Sequence, residues 1–405
     1  MSAPVVVTGM AIWSPFGRGL EPFWEGLLGI RCARRPVTRI NSDHWAYRAR
    51  IAADVPEVET DEHGRSEASA IKIMTSVAQD LIAEFGRMPS DVSPYDVGLC
   101  LGASQSGSNT MFQDYLHLRR GEAVAVDFRS ASSWLSSAAL LSELGRTLGS
   151  KGPSLVVSTA CASGTSSIGV AYDWIRLGRT RAAFAGGVGY FSQVSFSGFN
   201  ILRLTGPSGC HPFDRKRDGM MLGDGFALVA LESENDARRR GAPVLGRIVG
   251  YSCGNEAHHA TAPDPSGTSA FNVMWKALGC SKARLEQLDY INAHGTGTLA
   301  NDAAELVAVT RLLAMRQSGV PVLMSSTKGA HGHCLGGAGS VEFIAVLMTL
   351  NRGMIPPTLG LEDPEECCDR LKLVLEPTPK RVRLALSNSF AFGGNVASIA
   401  LEAFQ

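Results

Sequence analysis

The stretch LVVSTACASGTSSIGVAYDWIRL, residues 155–177, constrains the fold more than any other part of the chain. It begins with an apolar, β-branched run, which is typical of a buried strand. After Cys161, apolar residues recur at helical spacing up to Gly178, a residue type that commonly ends helices. The stretch therefore predicts a buried strand, a tight turn that carries a cysteine, and a helix, a unit that belongs in an α/β architecture.

Cys161 lies at the predicted N-terminus of this helix. Unpaired backbone N–H groups and the helix dipole stabilise negative charge there, so the position favours a thiolate. Small residues on both sides, Ala160 and Ala162–Gly164, leave room for a substrate to reach the sulfur. A free cysteine is otherwise most often a buried apolar group, and this stretch alone leaves the two interpretations equally open.

Strands and helices alternate along the whole chain, as in an α/β protein. One order occurs twice, in residues 1–242 and in residues 243–405: strand, helix, strand, helix, strand, glycine-rich turn, buried helix and two closing strands. The two series share almost no sequence identity, so the repeat is one of architecture. If the halves pack as a pseudo-dimer, the turn with Cys161 and the turn Lys328–His333 are equivalent and meet, which brings a thiol and two imidazoles together.

Charge and cysteine content exclude several functional classes. The chain has 38 Lys and Arg against 38 Asp and Glu, so no net field favours nucleic acid or an anionic membrane. Its nine cysteines have no CxxC spacing, and no signal peptide is apparent, which predicts reduced thiols in a cytoplasmic protein. No apolar segment reaches the roughly 18–20 residues that cross a bilayer.

Five segments carry a resemblance to a known family: TACASG around Cys161, HPFDRKRDGMMLGDG at 211–225, NAHGTGT around His294, SSTKGAHGHCLGGAG at 325–339 and NSFAFGG at 388–394. In order and spacing the chain resembles, end to end, the β-ketoacyl-acyl carrier protein synthases, the elongating ketosynthases of type II fatty-acid and polyketide systems in the thiolase superfamily. The resemblance implies an α/β, thiolase-like fold: two pseudo-equivalent mixed-sheet halves in a layered α-β-α-β-α arrangement. The cysteine half is 1–242, and the half with the two histidines and the lysine is 243–405.

The resemblance implies a catalytic set of Cys161, His294, His333 and Lys328. Cys161 would take an acyl group from a carrier-protein thioester. A malonyl thioester would then lose carbon dioxide, and the two histidines would hold the resulting enolate oxygen with their N–H groups. Attack of the enolate on the acyl-Cys161 carbonyl would give a 3-oxoacyl chain longer by two carbons. By family analogy, Phe392 gates the acyl pocket, and its backbone N–H helps to hold the oxyanion.

Supporting residues follow partly from the residues themselves and partly from the resemblance. Lys328 stands between an apolar strand and a glycine-rich turn, so we expect it to be buried and to need a partner. Glu342, on the following helix, is the best candidate. Thr296 and Thr298 match positions that hydrogen-bond the phosphopantetheine arm, although ordinary turn hydrogen bonds are an equally open interpretation.

The resemblance also implies a partner, an acyl carrier protein whose phosphopantetheine arm delivers the substrates, and no bound cofactor. Candidates for the basic residues that dock this carrier are Arg65, Lys72 and Arg203. This basic patch is thin, which favours a private carrier protein or a heteromeric partner. His331 and His333 are spaced like a metal pair but lack a further ligand, so no metal site is expected. We expect either a homodimer or a heterodimer of ketosynthase and chain-length factor.

Ala391 stands where common members of the family have glycine. Such departures favour specialised polyketide or polyene biosynthesis over housekeeping fatty-acid synthesis.

Alternative functions remain within the same fold. A chain-length-factor-like partner subunit is one alternative, although such partners generally lack the nucleophile. A thiolase acting on coenzyme A esters is less favoured, because thiolases usually carry a second cysteine where this chain has Phe390 and Phe392.

Overall fold

The computed structural model of this chain describes residues 4–29, 31–40, 46–60, 66–86, 91–104, 107–121 and 137–404. Helices alternate with strands along the chain, as the sequence predicts. The helices are α1 (Leu20–Leu28), α2 (Glu67–Phe85), α3 (Ser108–Arg119), α4 (Ser137–Leu148), α5 (Ser163–Arg176), α6 (Gln193–Ile201), α7 (Glu234–Arg239), α8 (Thr268–Ala277), α9 (Lys282–Gln287), α10 (Leu299–Ala314), α11 (Lys328–His331) and α12 (Ala338–Arg352).

The strands fall into two series, before and after α7. The first comprises β1 (Val5–Ser14), β2 (Gly17–Arg18), β3 (Arg35–Pro36), β4 (Ile51–Ala52), β5 (Val97–Ala103), β6 (Ser154–Val157), β7 (Ala182–Gly189) and β8 (Gly225–Ser233). The second comprises β9 (Gly246–Asn255), β10 (Leu288–Asn292), β11 (Val322–Ser325), β12 (Met354–Ile355), β13 (Leu371–Leu373), β14 (Thr378–Pro379), β15 (Leu384–Ala391) and β16 (Asn395–Glu402).

Within the described residues, five strands of each series follow the same order in the main sheet, and β13 adds one strand to the second set. Along the main sheet the strands run β13-β11-β10-β15-β16-β9-β1-β8-β7-β5-β6. In each series the first strand, β1 or β9, pairs antiparallel with the last, β8 or β16. The series are joined where β1 pairs with β9 through Val5–Val7 and Gly246–Ile248. The predicted repeat of architecture is therefore present, and the two sets of strands form one continuous sheet.

Two buried helices lie between the two sets of strands and bring their N-termini together. The helices are α5 and α12, and each contacts strands of both series as well as the other helix. Glycines allow this close approach: a Cβ on Gly164 would lie 2.6 Å from the backbone N of Ser340, and one on Gly339 would lie 2.6 Å from that of Thr165. Outer helices, among them α2 and α8, cover the sheet from the other side. The turns that precede α5 and α12 therefore face one another.

The prediction of a buried strand before Cys161 is wrong. Strand β6 is at the edge of the sheet, and within the described residues it pairs only with β5. Ser154 and Leu155 are exposed, Leu155 to 44%. An edge strand has a neighbour on one side only, and an apolar run has the same composition whether the chain places it at the edge or in the centre.

None of the described helices combines the length and the apolar composition that a membrane span requires.

Candidate active site

Cys161 lies in a single 3-10 turn, Ala160–Ala162, between β6 and α5. Ala160 has φ of 50°, in the left-handed region that residues with a side chain seldom adopt. Ser163 fixes the turn, because its hydroxyl accepts from the N–H of Thr159 at 2.9 Å and donates to the carbonyl of Ala160 at 2.6 Å. Strained backbone of this kind is concentrated at functional sites, and here it presents the cysteine on the wall of a cavity.

The prediction that this position favours a thiolate is wrong for the free protein. Burial raises the pKa of Cys161 to about 11, against the opposing effects of the Lys328 charge and of the backbone N–H groups of Cys161 and Phe392. The cost of desolvating the anion is larger than the stabilisation from nearby dipoles and charge. Burial therefore favours the neutral thiol form of Cys161 in this site.

His333 lines the same cavity and carries one ring N–H group. Its Nδ1 accepts a hydrogen bond from the backbone N–H of Leu335 at 3.0 Å, which assigns the ring proton to Nε2. This Nε2 is buried and has no hydrogen-bond partner among the described residues. Burial lowers the pKa of His333 well below its usual value, with Lys328 adding to the effect. The ring is a neutral donor without a partner.

His294 lies two residues after the end of β10 and faces His333. The two ring centroids are 5.5 Å apart, with planes at 85°. The Lys328 ammonium donates to Nδ1 of His294 across 3.3 Å, so the His294 proton is also assigned to Nε2. Burial lowers the pKa of His294 well below its usual value, and so does Lys328. Two neutral imidazoles with the same tautomer therefore lie side by side.

The expected partner of Lys328 is present. Lys328 and Glu342 form an ion pair in which both side chains are fully buried. Burial raises the pKa of the Glu342 carboxyl to about 7, against the Lys328 charge. Lys328 contacts both Glu342 and His294, so it orients the His294 ring and supplies a positive charge next to the site.

Sequence reasoning missed a second buried carboxylate, Glu305 on α10. It accepts the backbone N–H groups of His294 at 2.9 Å and of Gly295 at 2.8 Å, and the side-chain amide of Asn388 at 3.2 Å. Burial raises its pKa to about 7. Glu305 therefore holds the backbone from which the His294 ring projects. The signal in the sequence was an acidic residue in an apolar stretch of helix, which indicates a paired carboxylate.

Asp302, one turn earlier on α10, was also missed. Its carboxylate holds the backbone of the next residues of the loop. It accepts the N–H groups of Thr296 at 3.0 Å and of Gly297 at 3.2 Å. The hydroxyls of Thr296 and Thr298 lie 2.9 Å apart, and both residues line the cavity. A cavity position suits contact with a substrate arm, and that role stays a prediction.

One cavity of about 550 Å³ joins these groups. Cys161, His294 and His333 line it together, although they come from both halves of the chain. Phe392 also lines it and packs against Phe199, with ring centroids 5.6 Å apart. Lys328 and Glu342 lie behind the histidines and do not line the cavity. A thiol and two N–H donors on one partly enclosed surface can exchange thioesters and stabilise an anion that forms beside them.

The three candidate docking residues differ in position. Arg203 is exposed and lines the cavity. Lys72 is exposed on α2 and does not line it. Arg65 lies outside the described residues.

His331 contacts Thr327 through Nε2 at 2.9 Å, and burial lowers the pKa of His331 to about 3. This histidine therefore makes local contacts and does not line the cavity.

Two family models match the sequence. Residues 2–237 match the model described as beta-ketoacyl synthase, N-terminal domain, and residues 245–362 match the model described as beta-ketoacyl synthase, C-terminal domain.

Relatives of known name match over nearly the whole chain. The 3-oxoacyl-[acyl-carrier-protein] synthase 2 of Synechocystis sp. is 32% identical over 414 residues, covering 99% of this chain and 98% of that protein. The tetracenomycin polyketide synthase ketoacyl synthase alpha subunit of Streptomyces glaucescens is 32% identical over 410 residues, covering 96% and 95%. The solved ishigamide ketosynthase/chain length factor superposes with a TM-score of 0.87 at 27% identity, over 100% of both chains. The structural similarity confirms the predicted α/β fold of thiolase type.

Proposed function

This chain belongs to the β-ketoacyl synthase family, and from that premise we propose the reaction that its cavity carries out. The protein is an acyltransferase that condenses an acyl thioester with malonyl-acyl carrier protein, with loss of carbon dioxide, to give 3-oxoacyl-acyl carrier protein. The substrates arrive on the phosphopantetheine arm of the carrier. The residues of the cavity have separate roles in three steps.

In the first step, the sulfur of Cys161 attacks the carbonyl carbon of an acyl-carrier thioester. The new C–S bond forms, the bond to the carrier sulfur breaks, and the thiol proton leaves with the carrier thiol. The backbone N–H groups of Cys161 and Phe392, which lie within reach of the cysteine sulfur, hold the transient oxyanion. The acyl group remains on Cys161 as a thioester.

In the second step, malonyl-carrier protein enters the cavity and its C–C bond to the carboxylate breaks. Carbon dioxide leaves, and the electron pair becomes an enolate whose oxygen carries the charge. The Nε2–H groups of His294 and His333 donate to that oxygen. Neutral imidazoles suit this role, because each offers one N–H in a site from which water is largely excluded.

In the third step, the enolate carbon attacks the carbonyl of acyl-Cys161. A C–C bond forms, the C–S bond breaks, and the cysteine thiolate takes up a proton from solvent and returns to its resting form. One observation carries the proposal: His333 lines the cavity together with Cys161, and its buried Nε2 has no hydrogen-bond partner among the described residues. A buried donor without a partner is costly, and a substrate oxygen would satisfy it.

A condensation assay tests the proposal. Purified protein with acyl- and malonyl-carrier protein should yield 3-oxoacyl-carrier protein, detected by mass spectrometry, and Cys161→Ala should yield none. Cys161→Gln should release carbon dioxide from malonyl-carrier protein without condensation, because the enolate then lacks an acyl acceptor. Condensation by Cys161→Ala at the wild-type rate would overturn the proposal.

We further propose a second subunit and a specialised pathway. The edge of β6 and the exposed Leu155 support a partner at this side of the sheet. That partner is either a second copy or a chain-length-factor-like subunit. Light scattering of the purified chain distinguishes the two, because a homodimer forms without any other protein.

The cysteine and both histidines are retained, so the chain itself is the catalytic subunit. Mass spectrometry of the acyl group trapped on the enzyme identifies the pathway, since a polyketide or polyene chain differs from a saturated fatty acyl chain.

A further inference from the structure

Exposed apolar side chains stand at the mouth of the catalytic cavity. Leu202 is 49% exposed and Leu299 is 63% exposed, and both line the cavity. Ile201, next to Leu202, is 72% exposed. We call Ile201, Leu202 and Leu299 the apolar rim. A group of exposed apolar residues next to a functional opening is typical of an interaction site.

The rim is built on the ends of two helices, so its position is fixed. Ile201 is the last residue of α6, and the N–H of Leu202 donates to the carbonyl of Gly198 at 3.0 Å. Leu299 is the first residue of α10, and its carbonyl accepts from the buried guanidinium of Arg217 at 3.1 Å. The backbone is held on both sides of the mouth, and the apolar side chains remain outside.

The charges around the rim partly cancel. Arg48 lies 3.9 Å from the carboxylate of Asp218 and donates to the carbonyl of Arg203 at 3.1 Å. Among the described residues, no carboxylate lies within ion-pair distance of the Arg203 side chain. A partner that docks here therefore meets one unpaired arginine and three large apolar side chains.

We propose that the apolar rim is the docking surface for the acyl carrier protein, which contacts it through apolar side chains around its phosphopantetheine attachment site. The inference rests on the proposed function. The arm must enter through this mouth to reach Cys161, so the body of the carrier covers the rim while the arm is inserted. Burial of apolar surface then supplies most of the affinity, and Arg203 contributes a single charge contact.

The test compares a carrier substrate with one that lacks the carrier. Condensation is measured with malonyl-acyl carrier protein and with malonyl-pantetheine, for the wild type, Ile201→Asp and Leu299→Asp. Each rim variant should raise KM for the carrier substrate about tenfold more than KM for the pantetheine substrate, which corresponds to the loss of one apolar anchor. Leu375→Asp is the matched control, because Leu375 is 50% exposed and does not line the cavity. It should leave both KM values as in the wild type.

Three results would overturn the inference. The first is that the rim variants raise both KM values by the same factor, or raise neither. The second is that the wild-type KM for the carrier substrate rises steeply with ionic strength, which would indicate docking through charge. The third is that the rim variants change the oligomeric state of the protein, which would indicate that a second copy of the chain covers the rim. Failure of the proposed function looks different, because the wild type would then form no 3-oxoacyl product from either substrate.

Discussion

The backbone N–H of Leu335 donates to Nδ1 of His333 at 3.0 Å. This hydrogen bond assigns the ring proton to Nε2, which is buried and has no partner among the described residues. The chain therefore determines which nitrogen of His333 is the donor, through a residue only two positions away. Similarly, the Lys328 ammonium donates to Nδ1 of His294, so both rings carry their proton on Nε2.

His333→Ala should slow malonyl decarboxylation by about 100- to 1,000-fold, the usual effect of removing one donor to a developing oxyanion. Acyl transfer to Cys161 should change much less, since backbone N–H groups hold the oxyanion in that step. The measurement is carbon dioxide release against acylation of Cys161. His331→Ala is the control, because Thr327 already occupies the Nε2 of His331. Equal losses in the two half-reactions of His333→Ala would contradict the role.

The reactivity of Cys161 toward iodoacetamide should rise about tenfold per pH unit between about pH 6 and pH 9, because burial raises the pKa of this thiol to about 11. Below the pKa only the small thiolate fraction reacts, and that fraction grows with pH. Alkylation of the peptide with Cys161 is followed by mass spectrometry, and Cys161→Ala identifies signal from other cysteines. A plateau below about pH 8 would show that the helix N-terminus stabilises the thiolate after all.

Lys328→Met should lower the free energy of unfolding by about 3–5 kcal/mol, because it leaves Glu342 buried without its partner. Lys328→Met combined with Glu342→Leu should recover part of this loss, since no buried charge then remains. Urea unfolding measures both. Asp80→Asn serves as the comparison, because the Arg18–Asp80 pair is on the surface and should cost less than about 1 kcal/mol. Equal costs for the buried and the surface pair would refute the explanation.

Glu305→Ala should slow decarboxylation more than acyl transfer, because the N–H groups of His294 and Gly295 lose their acceptor. A loss of about tenfold corresponds to a modest displacement of the His294 ring. The matched control is Glu286→Ala, since Glu286 also accepts two backbone N–H groups, from Gln317 and Ser318, but neither of these two residues lines the cavity. Both half-reactions should remain near the wild-type rate in that variant.

Much of the site is predictable from the sequence because local patterns determine it. Small residues around Cys161 and the spacing after it predict a strand, a turn and a helix, and the structure has all three. Lys328, between an apolar strand and a glycine-rich turn, must be buried, and the ion pair with Glu342 follows. These inferences depend on residues that lie near one another in the sequence.

The errors concern properties that only the assembled chain determines. An apolar run does not reveal how many neighbours its strand has, so β6 was expected to be buried. The charge state of Cys161 depends on desolvation by residues from both halves, which no local pattern reports. Glu305 and Asp302 were missed although their partners are close in the sequence, because only the conformation of the 294–297 loop brings its backbone N–H groups to these carboxylates.

The most direct test of the central claim is to trap the acyl group. Purified protein is incubated with acyl-carrier protein alone, digested, and analysed by tandem mass spectrometry. We predict one acyl group in thioester linkage on Cys161, which transfers to malonyl-carrier protein when that substrate is added. Acylation at any other residue, or an acyl-Cys161 that malonyl-carrier protein does not discharge, would contradict the claim.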